Sequence, residues 1–65
     1  MRIRCIKGWE GNGSIIMKGE EFQQCEGSDA AHGVVEFIGD TEGSWNYNHV
    51  FDFTGDLLAE HFEVA

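Results

Sequence analysis

Proline is missing from this chain, only one tyrosine is present, and no lysine or arginine occurs after residue 18. Each absence excludes something. Without proline, slow prolyl isomerisation has no place in folding. The lone Tyr47 excludes the clustered tyrosines of proline-peptide-binding SH3 domains. The basic residues are Arg2, Arg4, Lys7 and Lys18, and eleven of the twelve acids follow them, giving a net charge of −8. A nucleic-acid surface needs clustered cations to displace counterions from phosphates, so direct DNA or RNA binding is disfavoured, while attraction to a basic protein surface is favoured. No apolar run approaches the length of a membrane span.

The two cysteines, Cys5 and Cys25, suffice for one bridge. Met1 leads directly into strand-like sequence without the basic and apolar segments of a secretory signal, so the expected location is a reducing cytoplasm and both residues are read as free thiols. The length of 65 residues accommodates one domain, residues 1–65, whose small core must recruit nearly every large apolar side chain.

The stretch Gly33 to Asp40, GVVEFIGD, is β-branched and bounded by glycines. Val35 and Phe37 alternate with Val34 and Ile38, the pattern of a central strand covered on both sides, with Glu36 leaving the second face half covered. Arg2 to Ile6 alternates as a first strand. Gly8 to Ser14, GWEGNGS, holds three glycines and is read as a loop; it lacks the GK[ST] ending of a phosphate loop. After a turn at Lys18-Gly19, Glu20 to Cys25 is a second strand anchored by Phe22, with a bulge expected near Gln23 or Gln24. Glu26 to His32 is a polar loop, and Thr41 to Ser44 a tight hairpin connection. Trp45, Tyr47, His49, Phe51 and Phe53 then alternate with Asn46, Asn48, Val50 and Asp52, predicting a long bent strand whose aromatic face is core. Asp56 is a suitable cap for a helical turn over residues 56–61, and Phe62 and Val64 form a last strand suited to pairing with the first. The fold class is therefore all-β, with one short helical turn before the last strand.

Zinc sites present paired ligands two to four residues apart. Cys5, Cys25, His32, His49 and His61 are isolated in the sequence, so no metal site and no cofactor is expected. No nucleophile and base stand in a recognisable motif, and a chain this small has little volume for a catalytic pocket beside its core, so the expectation is a protein that is not an enzyme. Trp9, among glycines, serves either as a lid folded on the core or as a contact for a partner.

The opening IRCIKG, an Asn/Gly/Ser-rich loop, the KGEEF turn and strand, GVVEFIGD, a tryptophan-bearing strand and a closing HFEV together resemble the short SH3-like barrel proteins encoded by tailed phages and prophages. In that group the middle motif is KGK-x-Y, and a leucine-bearing turn precedes FEV; here Phe22 stands in the tyrosine position, and Asn46 to Asp52 is longer than usual. The resemblance implies a five-stranded SH3-like barrel in a bacterial host cell, but transfers no activity. It also implies that the loops 8–14 and 26–32 share one end of the barrel and that the helical turn closes a groove between them. Trp9, Glu10, Glu26, Asp29, Asp56 and Glu60 would then surround one concavity. The expected function is that of a small acidic interaction protein that binds a host or phage protein through a basic surface and modulates it, in the manner of an anti-CRISPR inhibitor. The alternative is an adaptor without inhibitory activity.

Overall fold

The computed structural model describes residues 1–11, 13–28 and 33–65. Five strands form one antiparallel sheet in the order β6-β5-β4-β1-β7: β1 is Arg2–Cys5, β4 Glu21–Gln24, β5 Val34–Gly39, β6 Val50–Thr54 and β7 Phe62–Val64. A separate hairpin pairs β2, Trp9–Gly11, with β3, Ser14–Ile16. One helix, α1, Gly55–His61, enters β7 directly. The protein is mainly β, as the alternation predicts, and β7 pairs with β1 through Ile3–Val64, Arg4–Glu63 and Cys5–Phe62. Among the described residues no ladder joins β6 to β7 or either edge to the hairpin.

Inward positions follow the strand period. Ile3 and Phe22 face each other across β1 and β4, Cys5 and Phe62 across β1 and β7, and Val35 and Phe53 across β5 and β6. All five phenylalanines meet in one cluster. Phe22 stands edge-on to Phe51, Phe53 and Phe62 at centroid distances of 5.5–5.9 Å, and Phe53 lies 5.0 Å from Phe62. Such geometry satisfies the ring quadrupoles while removing large apolar areas from water.

The structure corrects several expectations. β5 is unevenly covered: Phe37 and Gly39 are buried on one face, whereas on the other Val34 and Glu36 are exposed and Ile38 is half-buried. Glu36 lies directly opposite Asp52, and two carboxylates in that register must remain solvated. β4, not β5, holds the middle of the sheet. The ladder through Gln23–Ile38 and Gln24–Phe37 is continuous, so no bulge is needed. The stretch read as a loop holds strand structure: Trp9–Gly11 pairs with Ser14–Ile16, Gly11 stands opposite Ser14, and Gly13 has φ +79°. Thr54, not Asp56, caps α1, its hydroxyl accepting from the Leu57 N–H at 3.2 Å.

The largest departure is the long aromatic strand. β6 begins only at Val50, and residues 44–49 form a looped segment in which Asn46 is buried and Trp45 is 94% exposed. The loop is fastened to the end of β5, where the Gly39 N–H donates to the His49 carbonyl and the Asn48 N–H donates to the Gly39 carbonyl, both at 2.9 Å. A Cβ at Gly39 would overlap the Asn46 carbonyl, so only glycine lets the loop backbone approach so closely.

Candidate functional site

The bonds that bury Asn46 also build an open, largely apolar groove on the surface. Glu20, buried after the Lys18-Gly19 turn, accepts from the Met17 N–H at 2.6 Å, from the Ser44 hydroxyl and from the Asn46 side-chain amide at 3.2 and 3.3 Å. The Asn46 amide also donates to the Ile15 carbonyl at 2.9 Å, and the Ser44 hydroxyl accepts from the Asn46 N–H at 3.0 Å. The carboxylate is thus held by fixed dipoles instead of a cation, the condition for burying it. No buried side-chain nitrogen or oxygen among the described residues lacks a partner.

Because Asn46 turns inward, its neighbour Trp45 turns out. Strand alternation does the same in the hairpin, where Ile16 is buried opposite Trp9 and Ile15 points outward opposite Glu10. Met17 is exposed in its turn. Between these side chains lies an open groove of about 570 Å³, lined by Ile15, Met17, Glu42 and Trp45 with Glu20 and Asn46. Ile15 and Trp45 also border a neighbouring depression of about 350 Å³ that reaches Ser14 and His49. Neither hollow is lined by lysine or arginine.

The cations are engaged elsewhere. On the outer side of β1, Arg2 bonds Glu21 at 2.8 Å and also Asp40, and Arg4 reaches Glu63 at 2.9 Å and Glu21 at 3.4 Å. The Arg2 hydrogen bond, ahead of the other influences, holds the Glu21 carboxyl below the usual carboxylate range. Lys7 pairs with Glu60 at 3.4 Å. Glu10, Glu26, Glu36, Glu42, Asp52 and Asp56 make no ion pair among the described residues, and neither does Lys18.

The described residues among the six expected at one concavity are spread over several elements. Trp9 is half-buried against the core, its indole over Gly11, where a Cβ would lie 2.7 Å from the ring. The cleft beside it, about 370 Å³, is lined by Gly11, Ser14 and residues 50–53 of β6. Glu10 projects beside Ile15. Glu26 is in the turn after β4, Asp56 in the first turn of α1, and Glu60 further along α1, bound to Lys7. Asp29 lies outside the described residues. No hydrogen bond or ion pair among the described residues joins Glu26, Asp56 or Glu60 to Trp9. Sequence reasoning missed Ile15, Met17, Glu42 and Trp45. The available signal was Gly43-Ser44, Asn46 and Asn48, turn formers spaced too closely for a strand interior.

Both cysteines are free. Burial pushes the Cys5 thiol up, and desolvation followed by the charge of Glu36 does the same to Cys25. These shifts are opposite to those of an activated nucleophile. Among the described residues no three His, Cys, Asp or Glu side chains converge as a metal site requires, and no helix is long and apolar enough to cross a membrane. No family model, curated protein or solved structure matches this chain.

Proposed function

We propose that this chain is a small acidic interaction protein that binds a partner protein through a basic surface and modulates it. The observation that carries this reading is the division of charge. Arg2, Arg4 and Lys7 are tied to carboxylates on the protein itself, while six further exposed acids stand without an ion partner among the described residues. A surface so arranged repels phosphates and attracts basic proteins over roughly a Debye length, ~8 Å at physiological salt. The strand order, with a short helix leading into a last strand beside the first, is compatible with the SH3-like reading, and the phage or prophage source rests on the sequence resemblance alone. The partner class most in keeping with both is a host nucleic-acid-processing or defence enzyme with a basic groove.

The experiment is capture from bacterial lysate, followed by reconstitution with the purified partner. Association should slow as salt rises, the chain alone should give no gel shift with DNA, and its addition should reduce the partner's nucleic-acid binding. Salt-independent association would contradict the acidic reading. Tight, salt-dependent binding that leaves the partner's activity intact would identify an adaptor instead of a modulator.

A further inference from the structure

We propose that the groove between the β2–β3 hairpin and the 41–46 loop is a docking site for a partner segment that presents a large apolar side chain flanked by lysine or arginine, with Trp45 as the anchor. The inference rests on the acidic-interaction reading and adds to it a place and a chemistry.

Three side chains of the groove are spread open to water: Trp45 is 94% exposed, Met17 65% and Ile15 58%. A single exposed apolar residue is ordinary; three around one hollow, one of them an indole, form a patch of the kind that marks interaction surfaces. The exposure is also built in. Asn46 and Ser44 hold the loop from beneath through Glu20 and the Ile15 carbonyl, so the backbone that carries the indole is fixed and only the side chain itself remains to be ordered on binding. At about 570 Å³ the hollow is large enough for a bulky side chain.

Charge decides what that side chain must be attached to. Glu42 lines the groove, Glu10 stands directly across the hairpin from Ile15, and no lysine or arginine is part of the lining. Glu20 adds a formal negative charge beneath the floor, already occupied by its own donors. An acidic segment would meet these carboxylates unpaired, and a second copy of this chain would bring its own net charge of −8. A segment with cations beside its apolar residue satisfies both parts of the surface. Trp9 has no role here, because its ring is on the inner side of the hairpin.

The test uses two short synthetic peptides without tryptophan. Both have the same leucine pattern, flanked by lysine in one and by glutamate in the other. Binding to the whole chain is followed by calorimetry, and the two indole N–H signals by heteronuclear NMR. The lysine peptide should bind saturably and shift the Trp45 indole and the amides of Ile15, Met17 and residues 42–46, leaving the Trp9 indole unmoved. The glutamate peptide should bind at least about tenfold more weakly, and Trp45→Ala should weaken the lysine peptide by a similar factor. The double variant Glu10→Gln, Glu42→Gln should bind a few-fold more weakly at low salt only.

If the lysine peptide binds but Trp45→Ala changes nothing and the shifts fall elsewhere, this face is overturned while the acidic reading stands. Equal binding of the two peptides would overturn both. Absence of binding by either at about 1 mM overturns the groove as a peptide site, and a salt-sensitive captured partner would then still support the broader function. Concentration-dependent self-association that is lost in Trp45→Ala would overturn the assignment in favour of a second copy.

Discussion

Trp9 and Trp45 stand near turn-forming sequence of similar composition, yet one is half-buried against the phenylalanine cluster and the other is 94% exposed. The difference lies in what their neighbours do. Beside Trp9, strand pairing of β2 with β3 turns the ring inward over Gly11. Beside Trp45, Asn46 makes side-chain bonds that a strand could not supply, and in taking the inward place sends the indole out. Backbone pairing places the first ring, whereas polar side-chain bonding places the second. Hydrophobicity alone would have buried both.

This comparison can be broken in stages. The largest effect is expected beneath Trp9: Phe22→Ala removes the hub of the ring cluster and should destabilise by about 3–5 kcal/mol, most of the stability of a domain this small. Its denaturant midpoint should collapse, and retention of the wild-type midpoint would mean the cluster is not the core. Glu20→Ala removes the carboxylate that gathers three donors under Trp45 and should cost about 2–3 kcal/mol, with the indole signal of Trp45 broadening while that of Trp9 stays in place. Trp9→Ala, truncating a half-buried ring, should cost about 2 kcal/mol. Trp45→Ala should change stability by no more than about 0.5 kcal/mol. Reversal of the last two would exchange the roles assigned to the two rings.

A further prediction concerns the ion-paired outer side of β1. The Glu21 carboxyl is held below its ordinary value, so the stability it contributes is present above the usual glutamate range, near pH 4.3, and is lost as pH falls through the lowered value. Urea unfolding across this range should show the gap between wild type and Glu21→Gln closing as the solution is acidified. A gap that widens with acid would mean that Glu21 is not engaged by Arg2.

Much of the sheet was legible in the sequence because β1, β4 and β5 each carry a period-two pattern around a single large anchor, and because Phe62 and Val64 leave the helix with the same period. The hairpin was not, although Asn12-Gly13 is the dipeptide that favours a two-residue connection, because glycines on both sides conceal the strand pattern. The candidate site was hidden for a different reason. Trp45, Tyr47, His49, Phe51 and Phe53 keep a two-residue spacing through a segment whose first half is not a strand. The choice was made at Asn46 and Gly39, one through its amide bonds and the other through the absence of a side chain. Neither contributes to a hydrophobic pattern. None of the described residues expected at the site lines the groove, and Glu10 is connected to it only through its register partner Ile15.

The central claim, that the loop presents Trp45 to solvent while the hairpin folds Trp9 onto the core, is tested most directly by acrylamide quenching of two single-tryptophan variants, Trp9→Phe and Trp45→Phe, each compared with its own unfolded state. Trp45, the ring left in Trp9→Phe, should emit and quench in the folded protein almost as it does in denaturant, and Trp9, the ring left in Trp45→Phe, should be blue-shifted and shielded until the protein unfolds. A folded Trp9→Phe variant with a shielded, blue-shifted Trp45 would contradict the account.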